Sequence, residues 1–130
     1  MKARHIQWFL AFIFLGLGGW TLLFPGSVEA LSLRPGHYIG TEASRVILGC
    51  FGAQAVLCGI VILVSRFTAR TFLVFGVCAS LPFMAFNYYF YYVREVFTDW
   101  MLLDFAGNIG IFVLGIVGRR LALREEHVDA

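Results

Sequence analysis

The stretch Val46–Val64, VILGCFGAQAVLCGIVILV, holds nineteen residues without a single Asp, Glu, Lys, Arg or His. At about 1.5 Å per helical residue it reaches about 28 Å, the thickness of a bilayer's hydrocarbon. Lipid offers no hydrogen bonds to a backbone, so a run of this kind must be helical. A barrel strand would alternate polar and apolar residues over segments of about ten, and this stretch does not.

Reading outward, Trp8–Phe24 and Thr71–Val93 are equally free of charge, and the run from Trp100 to Gly118 is interrupted only by Asp104. Apolar residues make up 60% of the chain, against about 45–50% in soluble domains. The expected fold is all-α: one domain, residues 1–130, forming an integral membrane bundle of four transmembrane helices. These are expected at Gln7–Phe24, Glu42–Ser65, Ala69–Tyr92 and Trp100–Leu121. Pro25-Gly26 ends the first, because proline cannot continue the hydrogen-bond ladder. Thr41 and Thr68 are expected N-caps of the second and third, and Thr98 or Asp99 of the fourth. Pro82 predicts a kink in the third helix. A short amphipathic turn is expected around Val28–Leu33, and a frayed tail after Leu121.

With both termini cytoplasmic, the inner segments carry Lys2, Arg4, Arg66, Arg70, Arg119, Arg120 and Arg124, seven of the ten basic residues. The outer segments carry Arg34, Arg45 and Arg94. The positive-inside rule favours this orientation. The basic residues form no stripe, so nucleic acid is not an expected partner. Lys2 and Arg4 before an apolar run, with Val28-Glu29-Ala30 beyond it, imitate a secretory signal. The 17-residue run is longer than a signal's apolar core of about 7–15 and is read as a retained first helix. Cys50, Cys58 and Cys78 fall inside spans and read as small apolar packing residues.

The polar residues gather toward the outer side. Glu42 and Arg45 share a face at the start of the second span. Asp104 lies roughly 6 Å and Asn108 about 12 Å below Trp100, and Asn87 lies roughly 7–8 Å from Tyr92. A carboxylate at mid-membrane costs about 2.5–3.5 kcal/mol and less near the boundary, so Asp104 needs a partner. An Arg45–Asp104 ion pair is expected, with Asn87 and Asn108 as hydrogen-bonding companions. The alternative is a polar floor beneath an outward pocket, with Arg45 holding a headgroup. Four of the five tyrosines lie in Phe83–Tyr92, an interfacial belt some of whose members, Tyr91 among them, face the polar group. Gln54, about 18 Å below Glu42, is expected to hydrogen-bond between helices. Small residues recur at four-residue spacing, as in Gly49/Ala53, Ala55/Gly59, Gly76/Ser80 and Ala106/Gly110, a pattern that marks helix contacts in lipid. His5, His37 and His127 lie outside the apolar runs, so no metal or haem site is expected. Nucleophile elbow and P-loop are both lacking.

Gly18-Gly19-Trp20-Thr21-Leu22-Leu23-Phe24-Pro25, Arg45-Val46-Ile47-Leu48-Gly49, Gly52-Ala53-Gln54 and Gly59 together resemble small bacterial four-helix proteins of the DoxX-like superfamily. The resemblance covers the first two helices. It implies a bacterial inner-membrane setting and a quinone or redox-partner context, and it transfers no catalytic residue. Three readings follow. The leading one is a non-catalytic membrane protein, an accessory or assembly subunit of a larger membrane complex, in contact with lipid and with another subunit or a second copy. The alternative is a binding module for a lipophilic molecule such as a quinone or lipid, with Arg45, Asn87, Tyr91 and Asp104 around its headgroup. The third is an enzyme using Asp104 as acid or base.

Overall fold

The computed structural model describes residues 2–128. Five α-helices carry the chain: α1 (Ala3–Leu23), α2 (Pro25–Ser32), α3 (Glu42–Val64), α4 (Ala69–Tyr88) and α5 (Met101–Val128). No strand occurs among the described residues. Four of the helical segments are long and apolar enough to cross a membrane. The N–H of Ala3 donates to Glu125 Oε1 at 3.0 Å, so α1 begins where α5 ends. The bundle thus has a terminal end, holding Ala3, Val64, Ala69 and Val128, and a loop end holding α2 and the connections.

Local chemistry sets the boundaries. Phe24 N–H closes α1 on Trp20 O at 2.8 Å, and Pro25, whose missing N–H is no loss at a helix start, opens α2 immediately. The expected surface turn is therefore a helix of eight residues. Thr41 and Thr68 cap α3 and α4 by accepting the N–H of Ser44 and Thr71, each at 3.2 Å. Neither candidate cap of the last helix works through its side chain. The Thr98 hydroxyl donates to Leu31 O, Asp99 Oδ1 accepts from Tyr91, and the backbone carbonyls of Thr98 and Asp99 start α5 instead. Pro82 lies inside α4. At Tyr89–Val93 the helix widens into a π turn, closed by Arg94 N–H on Tyr89 O at 2.9 Å. α5 continues through the segment read as a frayed tail.

α1 packs chiefly on α3 and α4 on α5, while α1 and α5 join the two pairs. Glycine makes both close approaches possible. A methyl on Gly18 would stand 2.8 Å from Ala55 Cβ, and one on Gly76 would stand 2.9 Å from Gly115 Cα. Such contacts bring backbones together where lipid supplies no hydrophobic drive between helices. The buried apolar core is formed by Ile6, Leu10, Ile62, Phe72 and Ile111, with Ala3, Ala69 and Ala122 near the terminal end. Phe67 closes it edge-on against Phe72 at 5.2 Å.

The ends are held by hydrogen bonds. At the terminal end Gln7, 4% exposed, donates Nε2 to Ile62 O (2.6 Å) and Ser65 O (2.8 Å), and its Oε1 accepts Phe67 N–H (3.2 Å). One side chain of α1 thus fixes the α3–α4 turn. Glu125 and Glu126 accept the first N–H groups of α1 and α4, at 3.0 and 3.5 Å, where the helix dipole favours an anion. At the loop end Leu33 and Phe97 form an antiparallel bridge, with Arg34 N–H on Val96 O and Thr98 N–H on Ser32 O, both 2.9 Å. Arg34 Nε reaches Phe97 O at 2.8 Å and Nη1 lies 3.6 Å from Glu95. Two connections far apart in sequence therefore form one cap.

Candidate functional site

Below that cap the interior changes character. Ser80, Asn87, Asn108, Thr21 and Glu29 are buried toward the loop end, whereas most of the buried apolar residues belong to the other half. Asn87 closes the last turn of α4, Asp104 lies in the first turn of α5, and Asn108 follows one turn on. The α4–α5 packing brings all three into contact. Asp104 Oδ2 accepts Asn87 Nδ2 at 2.7 Å and Asn108 Nδ2 at 3.0 Å, and Asn108 Nδ2 also donates to Asp104 O at 2.8 Å. A carboxylate only accepts, which fixes how the Asn87 amide points: nitrogen toward Asp104, oxygen away. That oxygen, Asn87 Oδ1, is shut off from solvent and has no hydrogen-bond partner. Asn87 itself is 2% exposed and Asn108 6%.

The expected Arg45–Asp104 ion pair does not form. The only ion pair among the described residues is Arg34–Glu95. Arg45 is exposed on α3 with its Nε 3.3 Å from where a methyl on Gly26 would stand, so it lies along α2. The reason is azimuth. Arg45 belongs to the α1–α3 pair and Asp104 to the α4–α5 pair, so equal depth does not make them neighbours. Tyr91 likewise turns away from the polar group and donates its hydroxyl to Asp99 at 2.8 Å. Glu42 is exposed beside the α3 N-terminus.

Gln54 departs further from expectation. It is exposed on α3, and no hydrogen bond reaches it among the described residues. Cys50, one turn earlier, is exposed too, and a methyl on Gly49 would meet nothing within 4 Å. Gly107 and Gly110 on α5 also face open space. The small-residue pattern therefore divides. Gly59 and Gly76 serve contacts inside the bundle, whereas Gly49/Ala53 and Ala106/Gly110 leave faces free.

Glu29 has a role that the sequence reading did not give it. At 2% exposed, it accepts Gly40 N–H and Ser44 Oγ–H, each at 3.0 Å, and so ties α2 to the start of α3. Gly40 holds φ +63°, a conformation that disfavours a side chain. The Gly40 N–H holds the Glu29 carboxyl below its ordinary pKa against the opposing effect of burial, with help from Ser44, Ile39 and the Arg45 charge. The signal was the sequence position itself: a lone acid between two apolar turns followed by a Gly-Thr cap.

A shallow apolar cleft of about 480 Å³ opens at the loop end between Leu31, Leu33, Pro35, Tyr38, Thr98 and Trp100. A second, about 430 Å³, lies at the terminal end beside Arg70, Arg119 and Glu126. Among the described residues no three His, Cys, Asp or Glu gather as a metal set. Comparison with protein-family models, with curated proteins and with solved structures finds no match.

Proposed function

We propose that this chain is a non-catalytic integral membrane subunit that docks against a transmembrane helix of another protein through the free face of α3. Gln54 carries the reading. It stands about 18 Å along a helix of 23 residues, near mid-membrane, with its amide turned outward and unpaired. A polar group left without partners in hydrocarbon costs several kcal/mol, and a neighbouring helix is the one solvent there that can satisfy it. Measured polar contacts between helices contribute about 0.6 kcal/mol and at most about 1.7, so the contact specifies a partner more than it tightens one. Gly49 and Ala53 leave room for the partner's backbone, and the partner is expected to present an amide or hydroxyl at the same depth.

In the proposed setting the terminal end is cytoplasmic and the membrane is the inner membrane of a bacterium. The resemblance to DoxX-like proteins points to the same bacterial setting. Gly18, Gly52 and Gly59 of that pattern each meet the facing helix, at Ala55, Leu22 and Leu15.

The test uses a natural reporter. With Cys58 and Cys78 changed to Ser, oxidation in native lipid should trap a disulfide or a bifunctional cross-link from Cys50 to a second chain, and Gln54→Leu should reduce its yield severalfold. A cross-linked band at twice the monomer mass replaces the heterologous partner by a second copy. A protein that leaves native lipid as monomer, with Cys50 uncoupled, refutes docking. A second reading, a binding module for an amphiphile, is supported by a different observation, the unpartnered Asn87 carbonyl.

A further inference from the structure

We infer that the Asn87–Asp104–Asn108 group holds the primary ammonium headgroup of a membrane amphiphile, which rests on the second reading above and not on the docking face. Two observations point the same way. Asp104 sits about 6 Å inside the Trp100 boundary with no cation paired to it, its only partners being two neutral amides. Asn87 Oδ1, wholly buried beside it, has no donor.

What is missing is defined by what is present. Both amide nitrogens already donate to Asp104, and among the described residues the Oδ1 atoms of Asn87, Asp104 and Asn108 accept nothing. The group therefore offers oxygen acceptors, one negative charge and a single spare N–H, on Asn87. A quinone presents carbonyl acceptors of its own and fits poorly. Arginine's planar fork matches a bidentate carboxylate, whereas an ammonium carries three divergent N–H donors and a single charge. One charge and separate acceptors on three side chains suit the ammonium. The lack of a second acid at the site disfavours a divalent metal. The depth, one turn below an interfacial tryptophan, suits a headgroup whose tail lies in the bilayer. Asp104 is the half-buried member of the group, and Asn87 and Asn108 are the buried ones.

The experiment is native mass spectrometry of the full chain released from phosphatidylcholine nanodiscs containing either dodecylamine, dodecyltrimethylammonium, dodecanol or phosphatidylethanolamine. Dodecylamine should be retained at least tenfold over the trimethyl compound, which has the same charge and no N–H, and over dodecanol, which has no charge. Retention of phosphatidylethanolamine as well would identify a lipid headgroup as the source, and retention of dodecylamine alone a free long-chain amine; both support the site. Asn87→Leu and Asp104→Asn should each abolish the preference, and Glu42→Gln should leave it intact. Equal retention of the trimethyl compound, or no retention of any amine, overturns the inference. The wild-type series decides this even where a variant does not fold.

Discussion

Replacing Gln7 with Leu tests how strongly one side chain holds the terminal end together. The substitution keeps an apolar stem of similar size on α1 and removes three hydrogen bonds. Ile62 O retains the Ser65 hydroxyl at 3.4 Å, so two groups lose their protein partner, Ser65 O and Phe67 N–H. An orphaned buried group costs about 1–3 kcal/mol, which gives about 2–6 kcal/mol for the pair. Ser65 and Arg66 are exposed in the turn, so water can reach part of the gap and the lower end applies, about 2–3 kcal/mol. Two assays read it. Equilibrium unfolding in mixed micelles should report the global loss. Trypsin acting at Arg66 should cut about thirtyfold to a hundredfold faster if the turn opens locally, since about 1.4 kcal/mol is tenfold. A global change under about 0.5 kcal/mol together with an unchanged cleavage rate would show that Gln7 does not hold this turn.

Two further outcomes follow from the packing and the charges. Gly76→Val presses a side chain onto the Gly115 backbone and is expected to cost about 3 kcal/mol, the upper end of overpacking, whereas Gly107→Val faces open space and should be near neutral in the same unfolding assay. Glu29 has a lowered pKa in the folded chain, so its carboxylate stabilises the fold above the ordinary carboxylate value of about 4.3. That contribution is lost as pH falls through the lowered folded value. Unfolding midpoints measured from pH 6 downward should therefore drop in the wild type, and Glu29→Gln should flatten that part of the profile.

The spans were legible because lipid leaves the chain no choice: a run such as Val46–Val64 has one available structure. The Pro25-Gly26 break was equally plain, since proline's chemistry is local. Asp104 and Asn108 could be joined from their spacing, whereas Asn87 matched them only in depth and meets Asp104 because α4 packs on α5. Arg45 could not be placed, because depth along a helix says nothing of direction around the bundle, and the direction follows from which helices pair. Gln54 failed for the same reason in reverse: a mid-span amide was expected to face inward, and it faces out. Gln7 read as the first residue of a span because its partners belong to a turn sixty residues away. The acids at 125 and 126 were hidden by a charged tail whose helicity depends on the helix starts it meets.

Those two acids have a consequence for how the protein comes to exist. A ribosome makes α1 and α4 well before it reaches residues 125 and 126, so the first amides of both helices wait for the last turns of α5 to arrive. Until then the earlier helices are held by their glycine seam and by the bonds of Gln7 and Glu29, and translation itself supplies the last latch.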